Sequence, residues 1–218
     1  INKKCKMFGT RYMVYYNYHK NIHIKRSMTM NTMDELSRVI AGCTGCRLHL
    51  SRTNTVPGEG NPNSRIMFVG EAPGADEDRL GRPFVGKAGQ LLDKALNALD
   101  FYRDKNFYIC NICKCRPENN RTPSDDEAEA CLPYLRRQVA IVKPQIIVCL
   151  GATPAKHIID KQARITSIRG QWIERKGYHI TATFHPAALF RDESKKRLFW
   201  EDLKKIKKKY DKIISSDL

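Results

Sequence analysis

Four short apolar runs rich in β-branched residues punctuate the chain, at 65–70 (RIMFVG), 107–112 (FYICNI), 145–151 (QIIVCLG) and 179–184 (HITATF), each followed by a turn. Near-continuous apolarity, in place of an apolar/polar alternation, marks strands covered on both faces. Helical spacing fills the intervals, in GKAGQLLDKALNALD, DDEAEACLPYLRRQVAIV and PAKHIIDKQ. Strand and helix in turn predict an α/β fold with a central, mainly parallel four-stranded sheet and helices on both faces. Ser124 with Glu127 reads as a capping box, and Thr153 before Pro154 as an N-cap and first helical position. Near the C-terminus, Leu198, Phe199, Leu203, Ile206 and Tyr210 give an approximate helical stripe whose lysines form a solvated face.

Before the first run the pattern changes. Residues 1–32 hold seven Lys or Arg and no acid, are rich in Tyr and Asn, and show neither a periodic apolar face nor a long apolar core. That excludes a signal peptide or membrane span. An organellar transit peptide and an upstream extension outside the native domain remain open. Either way the leader is set aside, and 33–218 is expected to form one domain, a monomer with no membrane partner. The formal charge of +16 over 218 residues points to a polyanionic partner such as nucleic acid.

In an open parallel sheet the ligand crevice lies beyond the carboxyl ends of the strands, so chemistry is sought in the turns there. The first turn, GEAPGADED at 70–78, is glycine-rich but is neither GxGxxG nor a P-loop. Its backbone N–H groups can approach a ligand, and Glu71 or Glu77 can position water. Asp76 and Asp78 read better as capping or solvated carboxylates. Phe84, in GRPFVGKAG, is either a core ring or a wall on which a flat base stacks, an interaction of about 1–3 kcal/mol. Asn111 ends the second run with an amide able to read a base edge bidentately. His185, in TFHPAALFR, can donate to an oxygen on which charge develops.

The cysteines add a second kind of chemistry. Cys43 and Cys46 form a CxxC pair, and Cys115 and Cys131 return much later in the chain. Four thiolates delivered this way suit a structural zinc or an iron-sulfur cluster, and spacing does not separate the two. Cys110 and Cys149 sit in apolar runs and read as buried free thiols. Nothing marks secretion, so a reducing compartment is expected and disulfides are not.

Taken together, GEAPGADEDRLGRPFVGKAG, NICKCRPENNRTP, TFHPAALFR and the preceding CxxC resemble family 4 uracil-DNA glycosylases, the iron-sulfur branch of that superfamily, over residues 33–210. The resemblance implies a three-layer α/β/α domain and a structural [4Fe-4S] cluster on Cys43, Cys46, Cys115 and Cys131. It also implies hydrolysis of the N-glycosidic bond of uracil in single- or double-stranded DNA, the opening step of base excision repair. On that basis Glu71, Glu77, Asn111 and His185 are the catalytic candidates. Gly70, Ala72, Pro73, Gly74, Phe84 and Asn120 would shape the uracil pocket. Arg169 and Arg191 are candidate phosphate contacts, with Leu189 and Phe190 as wedges entering the DNA. A bacterial or archaeal cytoplasm is the expected location. Two other readings stand beside it: a broader deaminated-base glycosylase of the same superfamily, and a noncatalytic metal-bearing nucleic-acid module.

Overall fold

In the computed structural model, residues 31–216 are described. In chain order the elements are α1 (Met33–Ala41), β1 (Glu59–Gly60), β2 (Ile66–Gly70), α2 (Ala75–Leu80), α3 (Lys87–Asn97), β3 (Tyr108–Asn111) and α4 (Asp125–Val142). They continue with β4 (Ile146–Leu150), α5 (Ala152–Ile158), α6 (Ile165–Ile168), β5 (Ile173–Arg175), β6 (Tyr178–Thr183), α7 (Ala188–Arg191) and α8 (Ser194–Ser216). Short 3-10 turns occupy Arg47–Leu50 and Glu118–Asn120. All but the last two residues of the 1–32 leader lie outside the described residues; Thr32 accepts the Glu35 N–H as the N-cap of α1.

The four apolar runs became β2, β3, β4 and β6, and these pair in parallel in the order β3-β2-β4-β6. The sheet has six strands, not four, because β1 and β5 join its edges antiparallel. At two and three residues, these edge strands are too short to carry a readable period. Along β2, Met67 and Val69 pack into one core with Leu135 of α4 and Ala155 of α5. Ile66 and Phe68 pack into the other with Leu92 of α3 and Leu203 of α8. Alternate residues of one strand thus feed two cores, which is why the run carries no polar positions.

Helix ends follow the expected chemistry with one exception. Glu127 reaches back to the Ser124 N–H at 2.9 Å, as the capping pattern predicts. Thr153, by contrast, is not an N-cap: α5 begins at Ala152 behind Gly151, and the Thr153 hydroxyl donates to Glu71. A side chain that reaches across to another strand's turn leaves no local signal of doing so.

Candidate active site and cysteine pocket

Strand register brings the chemistry together. Gly70 of β2 pairs with Asn111 of β3, and Leu150 of β4 with Thr183 of β6, so the residues beyond these ends open onto one crevice. The ladder continues into the turns, where Ile112 N–H donates to the Gly70 carbonyl and Cys113 N–H to that of Glu71. The crevice encloses a cavity of about 490 Å³ whose walls include Glu71, Glu77, Phe84, Asn111, Asn120 and His185. Ala72, Pro73 and Gly74 also line it, while Gly70 lies beneath the Phe84 and Asn111 side chains.

Asn111 is 2% exposed, and its Oδ1 has no hydrogen-bond partner among the described residues. A buried amide oxygen left unpaired costs about 1–3 kcal/mol, a cost that a bound donor removes. Phe84 closes over it. Its backbone is left-handed, with φ of 54°, and Arg103 pins it by donating to the carbonyls of Pro83 and Phe84 at 2.6 and 2.5 Å. Two glycines make this closeness possible. A Cβ at Gly70 would collide with Asn111 Oδ1 and Phe84 Cζ, and one at Gly89 would overlap the Phe84 carbonyl.

His185 stands across the cavity, its ring centroid 5.8 Å from that of Phe84. Burial, reinforced by Arg191 and opposed by Glu77, holds its pKa down to about 4, so the imidazole is neutral at physiological pH. Its Nδ1 accepts the Ala187 N–H at 3.2 Å, which places the remaining ring proton on Nε2. The site therefore holds a neutral N–H donor in a fixed tautomer.

The two glutamates divide their roles. Glu77 accepts the N–H groups of Val85 and Gly86 through Oε1 and that of Gly74 through Oε2, bracing the first turn against the Phe84 loop. Glu71 is bonded to the Thr153 hydroxyl. Asp78 is buried and, in place of the expected capping or solvated role, accepts the Thr53 N–H of a distant loop, while Asp76 pairs with Arg79 at the surface. With the Gly74 N–H spent on Glu77 and Pro73 having none, the backbone donors of the turn narrow to Glu71 and Ala72.

The DNA-facing candidates separate. Arg191 lines the cavity mouth and Phe190 is 58% exposed. Leu189 turns inward into the core, and Arg169 makes a two-point ion pair with buried Asp202 at 2.7 and 2.9 Å. Helical phase decides the first and a partner on α8 the second. Wall residues not singled out in the sequence include Gly151 and Arg121. Gly151, with φ of 103°, abuts His185, and its position after an apolar run was the available signal. Arg121 offered none, and neither did the contact of Thr153 with Glu71.

Cys43, Cys46, Cys115 and Cys131 line one small second pocket. Among the described residues no three His, Cys, Asp or Glu side chains stand grouped as ligands of a metal ion. The donor set nevertheless fits a sulfur-ligated group: Arg52 Nη1 donates to Cys115 Sγ at 3.2 Å and the Gly45 N–H to Cys43 Sγ at 3.4 Å. Hydrogen bonds to sulfur are the outer-shell contacts such groups use. Burial, with Cys131, Cys115 and Cys43 adding to it, pushes the Cys46 thiol up to about 11. Crowded thiols of this kind give up their protons to a cation. Cys113, not singled out in the sequence, neighbours Cys131, and this proximity holds the Cys131 thiol below the usual range.

A parallel-sheet domain with a cavity roomy enough for a base at its strand ends, an unpaired amide, a phenylalanine ring over it and a neutral histidine has the make-up of an enzyme that acts on an extruded nucleobase. The chain belongs to the uracil DNA glycosylase superfamily, whose family model matches residues 57–204. It is 46% identical over 186 residues to a type-4 uracil-DNA glycosylase of Thermotoga maritima, covering 82% of this chain and 96% of that protein. Type-4 enzymes of Sulfurisphaera tokodaii and Pyrobaculum aerophilum are 42% and 43% identical, over 82% and 78% of this chain and 84% and 91% of theirs.

Proposed function

We propose that this protein hydrolyses the N-glycosidic bond of uracil in DNA, releasing uracil and leaving an abasic site for base excision repair. The observation that carries the reading is the unpaired, buried Oδ1 of Asn111 beneath Phe84. Uracil presents N3–H between two carbonyl oxygens, so the Asn111 amide accepts from N3 and donates to an oxygen. Cytosine offers the opposite pattern and leaves the amide unsatisfied, a strong form of discrimination.

As the bond to the sugar breaks, positive charge grows on the sugar and negative charge on uracil. His185 Nε2–H and the backbone N–H groups of the first turn stabilise the carbonyl oxygen on which the charge of the departing uracil develops. The low pKa of His185 makes it a hydrogen-bond donor and not a source of a full proton. Glu71 faces the cavity with a carboxylate that orients water and stabilises the cationic sugar, while Glu77, committed to three backbone N–H groups, holds the turn in place. Asn120, whose Oδ1 accepts from Arg116 at 2.8 Å, shapes the opposite wall. Arg191 at the mouth meets phosphate, and Phe190, in place of Leu189, is the ring positioned to fill the gap left by the flipped base.

Cys43, Cys46, Cys115 and Cys131 would hold a [4Fe-4S] cluster, which supplies a structural cross-link between the CxxC turn, the loop after β3 and α4. The reading extends to a monomer acting on single- or double-stranded DNA in a bacterial or archaeal cytoplasm.

The test is a cleavage assay on single- and double-stranded oligonucleotides carrying uracil, hypoxanthine or thymine opposite guanine, with alkali to cut abasic sites. Uracil-dependent cutting without added cofactor, by a brown, iron-bearing protein, is the expected outcome. Preferential release of hypoxanthine would move the assignment to the broader glycosylase, and an inactive protein that still binds DNA would leave only the binding module.

A further inference from the structure

Lys114 is 1% exposed, a burial that lysine almost never reaches without a partner for its charge. Its Nζ donates to the Asn111 carbonyl and to Gln138 Oε1 of α4, both at 2.6 Å. Gln138 in turn donates to the Pro57 carbonyl at 2.7 Å, and the Lys114 carbonyl accepts the Val56 N–H at 2.7 Å. One residue thereby ties the end of β3, the loop before β1 and the middle of α4 to a single point. The same residue lines the pocket formed by Cys43, Cys46, Cys115 and Cys131.

We infer that Lys114 is a positioning residue for uracil recognition: its ammonium fixes the Asn111 backbone and draws its counter-charge from the four-thiolate centre. The counter-charge half rests on the cluster reading given above; the tether half does not. Reading a base edge demands an amide fixed to within a fraction of an ångström, and Asn111 Oδ1 has no partner among the described residues to fix it. The backbone must supply that rigidity. Lys114 supplies it from beneath, and four thiolates holding a cluster give the buried ammonium the negative field that a carboxylate gives elsewhere.

Lys114→Met tests both halves in the full chain. Expected are a kcat lower by about 100-fold, as a small misplacement of a reacting group produces, with KM for uracil-DNA little changed. The inhibition constant for free uracil should rise by about tenfold, the scale of a lost supporting contact, while affinity for an abasic-site oligonucleotide stays as in the wild type. The variant should stay brown, with a cluster reduction potential more negative than wild type, because a nearby cation that favours the reduced form is gone.

Wild-type values of kcat and of the uracil inhibition constant in the variant overturn the tether. An unshifted potential overturns the counter-charge, and a wild-type protein without iron overturns it together with the cluster reading while the uracil constant still decides the tether. Should Lys114→Met fail to fold, Gln138→Leu removes the second anchor of the ammonium; weaker inhibition by free uracil then supports the tether, and unchanged inhibition overturns it.

Discussion

Asn111, Phe84 and Gly70 form one device at the bottom of the pocket. The ring and amide come this close only because residue 70 has no side chain. Gly70→Ala should therefore lower kcat/KM on uracil-DNA by about 100-fold while the fold persists, read by steady-state cleavage beside circular dichroism. His185 gives a prediction in pH. Its folded pKa, about 4, lies below the ordinary 6.5, so between these values the unfolded chain binds a proton that the folded one does not. Its contribution to stability is intact above 6.5 and lost as pH falls toward about 4. Calorimetry across that window should show a Tm decline that is shallower in His185→Asn, and wild-type turnover should show no inflection near 6.5 from this group.

At the scale of elements, the site depends on how the turn after β2 is braced. Glu77 gathers three backbone N–H groups from two loops, whereas Glu71 leans on Thr153 at the start of α5. The two substitutions should differ accordingly. Glu77→Gln turns an amide donor toward N–H donors and should cost about 2 kcal/mol of stability by denaturant titration. Glu71→Gln should leave stability nearly unchanged and lower kcat by about 100-fold. In the sequence the two carboxylates sat six residues apart with equal claims. The runs that became strands and the α4 boundaries were legible there, because each rests on near-neighbour periodicity or capping; the role of Asp78 was not, since its partner Thr53 lies 25 residues back along the chain. The fates of Leu189 and Arg169 were not, since one depends on the phase of a single helical turn and the other on Asp202, 33 residues further along the chain.

For the whole molecule, charge and the cysteine pocket govern DNA affinity and integrity. The net charge of +16 should make binding to uracil-free DNA fall steeply between about 50 and about 200 mM salt, with a linear log–log slope by fluorescence anisotropy. Cys115→Ser should bleach the protein and lower its Tm, because the proposed cluster would tie α4 and the loop after β3 to the CxxC turn through these thiols. The loss should reach the uracil pocket as well as the cysteines, through Lys114.

The sequence by itself determined a parallel sheet buried on both faces, the turns that carry chemistry and the four cysteines, since these follow from local spacing, composition and motif. The tertiary structure alone decided which of those residues meet. Strand register set Asn111 beside Gly70, packing sent Leu189 inward and left Phe190 in solvent, and a buried lysine joined the end of β3 to the cysteine pocket. The physical reason is one of range: periodicity reports on neighbours within a few residues, while a side chain's partner across tens of residues is fixed only once the layers close.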